Sequence, residues 1–275
     1  MLRRITITIK KDLLDKIDKT VDKKNIRNRS HAIENLILNS LSKTDLHTAF
    51  ILAGGRGVKL RPITYEIPKP MIPIHGRPIL EHQIRMLKKY DIENIIISVN
   101  YMRDKIIEYF GNGSKFGVKI TYIEEEKPMG TAGAIKLASN LINRTFAVLH
   151  VDALMKPDIK EVYELHKKEG TIATILLDTM RSPESVGVVA MKGNRVSSFE
   201  EKPKNVLTNL VNSGFYIFEP KIFKFIPKRP CSIERDIFPK LVKRNQISGF
   251  VHNGPVYDVG TPKVYEKAIK EWVDI

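Results

Sequence analysis

From residue 47 to the C-terminus, short apolar runs alternate with segments whose apolar residues recur at helical spacing, and no other feature of the 275-residue chain restricts its fold so strongly. The runs Ala49–Leu52, Ile95–Val99, Lys119–Ile123 and Phe146–Val151 read as strands. The stretches Pro78–Tyr90, Met102–Phe110 and Thr131–Ser139 read as helices between them. A strand apolar at every position, such as Ile95-Ile96-Ile97, has to be buried on both faces. Such strands separated by helices predict an α/β fold, a mostly parallel sheet with helices on both faces. Ligands then belong beyond the carboxyl ends of the strands. The later runs, Ile172–Leu177, Gly187–Met191, Arg195–Phe199 and Val211–Phe218, are denser in strand and are expected to form an added sheet region over the same site.

The pattern changes near residues 42–47, which predicts two domains, residues 1–44 and 45–275. In the first, Arg4-Ile5-Thr6-Ile7-Thr8-Ile9 alternates strictly, as a strand with one apolar face does. Leu13, Leu14, Ile17 and Val21 then mark a helix. Ile33, Leu36, Ile37 and Leu41 mark a second one, capped by Asn28 or Ser30. So short a unit buries little alone, and a lone strand leaves its backbone unpaired, so a homodimer or higher homo-oligomer is expected. This strand-helix-helix order over residues 3–41 resembles the ribbon-helix-helix family. The resemblance implies an intermolecular ribbon whose Arg4, Thr6 and Thr8 face base edges in double-stranded DNA, with Asn28-Arg29-Ser30 on a phosphate. His31 stands where that family usually has an acidic residue. The plainer reading is a unit that only dimerises.

The chain carries 46 Lys+Arg against 31 Asp+Glu, a formal charge of +15 spread over both parts, which suits nucleic acid or anionic substrates alike. The single cysteine, Cys231, makes no intramolecular disulfide, and no Cys/His cluster has zinc spacing. No apolar run approaches the ~18 residues that a membrane span needs, so a cytoplasmic protein without membrane contact is expected.

Directly after the first strand of the second part comes Leu52-Ala53-Gly54-Gly55-Arg56-Gly57-Val58-Lys59-Leu60-Arg61-Pro62-Ile63-Thr64. Glycines there let backbone N–H groups approach phosphates, and Arg56, Lys59 and Arg61 add positive charge. The spacing is neither that of a dinucleotide fold nor of a Walker loop.

This loop, with Pro68-Lys69-Pro70-Met71-Ile72-Pro73, Gly130-Thr131-Ala132-Gly133-Ala134, Glu201-Lys202-Pro203, Asn212-Ser213-Gly214 and Asp258-Val259-Gly260-Thr261-Pro262, resembles the sugar-1-phosphate nucleotidyltransferases over residues 47–270. The resemblance implies their Rossmann-like fold and a reaction in which a sugar 1-phosphate attacks the α-phosphate of a nucleoside triphosphate and releases pyrophosphate. It implies Mg²⁺ held by Asp152 and Asp258, and catalysis by Lys59, Lys69 and Asp152. Leu52, Gly54, Gly55, Arg56, Gly57, Gln83, Gly130 and Thr131 would bind the nucleotide. Gly187, Glu201, Lys202 and Asn212 would bind the sugar phosphate. Base and sugar stay open among uridine, thymidine and guanosine triphosphates and glucose or mannose phosphate. The family's loop arginine is Lys59 here, which lacks the bidentate fork, and Val151 stands where a small residue usually precedes the metal aspartate. A second reading is a transcription regulator that binds DNA through the first domain and senses a nucleotide sugar through a weakly catalytic second one.

Overall fold

Along the strand Thr48–Leu52, Ala49 and Ile51 enter one hydrophobic core and Phe50 another. Ile95 and Ile97 likewise oppose Ile96 in the strand Asn94–Val99, and Ala147 and Leu149 oppose Val148 in Phe146–His150. Successive side chains point to opposite faces, so a sheet covered on both sides demands apolar residues at every position.

This computed structural model describes residues 6–21, 26–41 and 44–273, and the chain divides into two units, residues 1–43 and 44–275. The smaller unit contains α1 (Lys11–Asp18) and α2 (Arg29–Leu41). Asn28 caps α2, its Oδ1 accepting from the His31 N–H at 2.9 Å. Arg29 donates to both carboxylate oxygens of Asp18, at 2.7 and 2.5 Å, and so joins the two helices. Of the expected strand, Arg4 and Ile5 lie outside the described residues. Thr6–Lys10 have no regular structure, since within one chain no neighbouring strand offers them a ladder.

The larger unit has strands β1 (Thr48–Leu52), β2 (Pro73–Ile74), β3 (Arg77–Pro78), β4 (Asn94–Val99), β5 (Lys119–Glu124), β6 (Phe146–His150) and β7 (Ala153–Met155). After these come β8 (Ala173–Thr179), β9 (Gly187–Lys192), β10 (Arg195–Glu201), β11 (Leu210–Phe218), β12 (Ile247–Val251) and β13 (Val256–Asp258). Its helices are α3 (Ile63–Glu66), α4 (Ile79–Lys89), α5 (Arg103–Phe110), α6 (Gly130–Leu137), α7 (Ile159–Glu169), α8 (Phe238–Lys243) and α9 (Pro262–Glu271).

Nine strands form one sheet in the order β5-β4-β1-β6-β11-β8-β12-β10-β9. From β5 to β6 it is parallel, as the sequence predicts. Beyond β6 it is mixed. β11 runs antiparallel to β6 and β8, β12 parallel to β8, and β10 antiparallel to β12 and β9. The expected added sheet region is therefore a continuation of the same sheet. Part of the cause is local: Gly193-Asn194, with Gly193 at φ +59°, closes a two-residue hairpin between β9 and β10, which fixes an antiparallel pair.

Apolar residues of α4, α5 and α7 pack in one core, and those of α6 and α8 in the other. A third cluster joins Leu60, Ile72 and Ile74 to Leu154, Tyr257, Val259, Ala268 and Trp272, tying the loops after β1 to β7, β13 and α9. Among the described residues no helix is long and apolar enough to cross a membrane.

At the amino end of β8 lies a buried polar cluster. His166 Nδ1 meets Thr174 Oγ1 at 2.8 Å and Nε2 meets Glu219 Oε1 at 3.3 Å. Burial outweighs the Glu219 charge and pushes the imidazole down to about 4 from an ordinary 6.5. His166 is thus neutral in the fold, and the unfolded chain binds the proton first. Its contribution is complete above pH 6.5 and is lost as pH falls through 6.5 toward 4, on the order of 3 kcal/mol in all. Urea denaturation at pH 7 and pH 4.5 is expected to show a stability loss that His166→Gln largely removes. Equal losses in both proteins would discard this assignment.

Candidate active site

The antiparallel pair β7 and β13 puts Asp258 opposite Ala153, immediately after Asp152. The Val259 N–H donates to the Asp152 carbonyl at 2.9 Å and locks that register. Thr261 then caps α9 through the Val264 N–H, with Pro262 in the first turn, so the Asp-Val-Gly-Thr-Pro motif is a strand end followed by a helix start. Two carboxylates are thereby held side by side with Lys69 ion-paired to Asp152. Burial disfavours the Asp152 anion, but Lys69 and His150 outweigh it and hold the carboxyl below the usual range. Burial and the Asp152 charge push Asp258 upward. A divalent cation fits this donor set. Two carboxylates face a cleft, and no cluster of three or more His, Cys, Asp or Glu forms a protein cage among the described residues. That is the arrangement Mg²⁺ favours when phosphate oxygens complete its shell.

Beneath this pair lies Gln83, which has a structural part that the sequence reading did not give it. It is buried in α4, and its Nε2 donates to the carbonyls of His150 and Ala153 at 2.8 and 2.9 Å. Both amide hydrogens are spent bracketing the turn that carries Asp152, so Gln83 shapes that turn and keeps only its buried Oε1 without a partner.

The glycine-rich loop leaves β1 at its carboxyl end, as expected. Leu52 is half-buried and its carbonyl accepts from the Val151 N–H at 3.2 Å. Gly54 packs so closely that a Cβ would lie 2.9 Å from Glu125 Oε1. Gly55 and Arg56 are exposed. Gly57 takes a left-handed φ of +62°, and its carbonyl accepts from Thr64 Oγ1 at 2.8 Å. Buried Leu60 then anchors the short turn that presents Lys59 to the cleft. Arg61 does not supply the missing fork, because its guanidinium stacks on Tyr65 at 4.8 Å from the ring centroid. Glu125, the middle one of three consecutive acids, is buried, accepts from the Met129 N–H at 2.9 Å, and is pushed upward by burial.

One cleft of about 340 Å³ brings together Lys59, Thr131, Asp152, Gly187, Glu201, Lys202, Asn212 and Asp258. Gly187 pairs with Glu201 across β9 and β10, and a Cβ there would lie 2.7 Å from Phe199 and 3.0 Å from Glu201 Oε2. Lys202 holds φ at +55° and its N–H donates to the Val186 carbonyl at 3.0 Å. Gly130, at φ +70°, starts α6 against the Cys231 backbone. The cleft also contains residues that sequence reasoning missed: His150, Asp178 and Glu234. His150 Nε2 lies 3.1 Å from Glu234 Oε1. Burial opposes both charges, yet the pair wins, raising His150 and holding Glu234 down to about 2. No local signal marks Glu234, whose partner Thr131 lies 103 residues away.

The profile of the family described as Nucleotidyl transferase matches residues 48–274. A mannose-1-phosphate guanyltransferase of Saccharomyces cerevisiae is 37% identical over 220 residues, covering 78% of this chain and 61% of the relative. The chain spans roughly three fifths of the length of the curated relatives it matches. Among solved structures, HddC from Yersinia pseudotuberculosis in complex with GMP-PN superposes with a TM-score of 0.71 at 30% identity, over 82% of this chain and 99% of that one. A Bacillus anthracis protein described as a glucose-1-phosphate thymidylyltransferase, in complex with sucrose, gives 0.76 at 28% identity, over 81% and 94%.

The close approach at Gly130 has a measurable consequence. A Cβ there would stand 2.5 Å from the Cys231 carbonyl oxygen on a left-handed backbone, whereas at Gly55 it would meet nothing within 4 Å. Gly130→Ala is expected to cost at least about 2 kcal/mol in urea denaturation, and Gly55→Ala less than about 0.5 kcal/mol. Similar losses for the two would contradict this packing.

Proposed function

Because the chain belongs to the nucleotidyl transferase family, we propose that its larger unit joins a nucleoside triphosphate to a sugar 1-phosphate, forming a nucleotide sugar and releasing pyrophosphate. The observation that carries this is the pairing of Asp152 and Asp258 beside Lys69, in the cleft that also gathers Glu201, Lys202 and Asn212. A sugar-phosphate oxygen is itself the nucleophile, so the protein needs to position two anions and offset their charge. Lys59 and Lys69 do the second, and the Gly54–Gly57 backbone cradles the triphosphate. Asp152 and Asp258 would hold Mg²⁺, which neutralises phosphate charge when bound. Glu201 and Asn212 accept and donate to sugar hydroxyls, Lys202 meets the sugar phosphate, and Gly187 leaves the sugar room.

Guanosine triphosphate and mannose 1-phosphate are the substrate pair we favour. The relatives' names point there.

For the smaller unit we propose that two chains pair residues 3–10 as an antiparallel ribbon. Thr6–Lys10 have no ladder within the chain, and Ile7, Leu13, Leu36 and Ile37 are exposed although apolar. Such a ribbon would offer Arg4, Thr6 and Thr8 to DNA.

Pyrophosphate release with Mg²⁺, each triphosphate and a panel of sugar 1-phosphates tests the first reading. Release is expected to be fastest with guanosine triphosphate and mannose 1-phosphate. Lys69→Ala and Asp152→Asn are expected to lower kcat by roughly 100-fold or more with unchanged folding. Wild-type rates in both variants would sink the site assignment. Absence of release with every pair, while a nucleotide sugar still binds, would favour the regulator. Sedimentation of the full chain tests the second reading: Ile37→Lys is expected to turn a dimer into a monomer, and a monomeric wild type would refute the ribbon. Unchanged gel-shift affinity after Arg4, Thr6 and Thr8 are replaced by Ala would reject base contact.

A further inference from the structure

Glu234 lies in a single π-helical turn, Ile233–Ile237, at the wall of the cleft, and is 8% exposed. Irregular turns of this kind place side chains that a regular helix could not. Four side chains from four parts of the chain converge on its carboxylate. Oε2 accepts from Thr131 Oγ1 at 2.8 Å and from Ser232 Oγ at 2.6 Å. Oε1 faces His150 Nε2 at 3.1 Å and accepts from Tyr216 OH at 3.3 Å. Two of these contacts continue outward. The Ile233 N–H donates back to Thr131 Oγ1 at 2.8 Å, closing a ring around the start of α6. On the other side, Asn212 Nδ2 donates to Tyr216 OH at 2.8 Å, and Asn212 Oδ1 accepts from the Gly214 N–H at 3.1 Å.

Direction is what makes this more than a buried ion pair. An ionised carboxylate only accepts, so every hydroxyl touching it must point its hydrogen inward. Tyr216 therefore donates to Glu234 and keeps a lone pair for Asn212, which settles which end of the Asn212 amide meets Tyr216 and which end meets Gly214. Thr131 likewise donates to Glu234 and accepts from Ile233. One carboxylate thus fixes the hydrogen positions on the nucleotide-side residue Thr131 and on the sugar-side residue Asn212 together.

We propose that Glu234 is the positioning residue that couples nucleotide recognition to sugar recognition in this cleft, acting through Thr131 on one side and through Tyr216 and Asn212 on the other. The inference rests on the transferase reading given above. A neutral amide in its place presents NH₂ to one side. Either Thr131 and Ser232 lose their acceptor, or Tyr216 turns its hydrogen away, toward His150 Nε2 at 3.3 Å, and Asn212 is no longer held through a hydroxyl anchored on residue 234.

The experiment uses the full chain, steady-state kinetics with both substrates, and calorimetric titration with the nucleotide sugar product. Tyr216→Phe keeps the ring and deletes only the hydroxyl. It is expected to raise KM for the sugar 1-phosphate roughly 5- to 20-fold with KM for the triphosphate within about twofold of wild type. Glu234→Gln is expected to raise both KM values roughly tenfold or more and to lower kcat. In wild type, Thr131→Val and Asn212→Ala are expected to couple by roughly fivefold, and in the Glu234→Gln background to combine independently. A purely structural role would shift the melting temperature and leave the KM values of folded protein unmoved. Folded Glu234→Gln with both KM values within about twofold of wild type would overturn the proposal. If that variant does not fold, Tyr216→Phe and the Thr131–Asn212 cycle decide, and independence within about twofold in wild type overturns it. If wild type transfers nothing with any pair, the transferase reading fails by itself, and the product affinity of Tyr216→Phe, expected to fall roughly fivefold or more, still decides the linkage.

Discussion

Two neighbouring carboxylates, Asp152 and Asp258, are held together against their own repulsion, and much of the larger unit exists to keep them there. The β7–β13 ladder sets their register, Gln83 clamps the turn from His150 to Ala153 from below, and the third core cluster pins β13 and α9 to the loops after β1. Lys69 and His150 offset the charge of Asp152, whereas at Asp258 the same two groups and Lys59 are outweighed by burial and by Asp152, which push its carboxyl upward. Such a pair is costly in an isolated protein.

Regular and irregular structure divide the work. The central strands are continuous, apolar and buried on both faces, which makes a rigid floor. At the cleft the chain departs from regularity at several places at once. β11 carries a register shift between Asn212 and Tyr216, with Gly214 at φ +80° between them. Lys202 is left-handed, and Glu234 rides on a π-turn. Bulges and left-handed residues re-aim side chains at a modest cost, and their clustering around one cavity is what a site built on a stiff sheet requires.

Much of this was legible in the sequence, for identifiable reasons. Strand and helix positions in the first half follow from local periodicity, which is a property of neighbours. Of the residues that the cleft brings together, Lys59, Glu201, Lys202, Asn212 and Asp258 each sit in a short contiguous motif, and Asp152 and Gly187 stand at the end and the start of strand-like runs. The mixed half of the sheet was misread because strand direction depends on connections, with only the Gly193-Asn194 hairpin visible locally. The part that Gln83 plays in holding the Asp152 turn was not legible, because its partners, two backbone carbonyls about 70 residues on, leave no trace in its own helix. Glu125 was passed over within a run of three acids whose outer members are not buried. Glu234 was missed because three of the four side chains it meets, Thr131, His150 and Tyr216, are distant in sequence.

The distribution of charge gives these parts a common sense. The whole chain carries +15, which raises the local concentration of any phosphate-bearing ligand before contact. Inside the cleft the balance reverses, with Asp152, Asp178, Glu201, Glu234 and Asp258 against Lys59, Lys202 and His150. Cations are nevertheless set among these acids at both ends: Lys69 and Lys59 lie with the aspartate pair, and Lys202 Nζ lies 4.0 Å from Glu201 Oε1 beside the gap left by Gly187. The long-range field and the local one thus differ in sign, and an anion drawn in by the first finds its favourable contacts only at these few lysines.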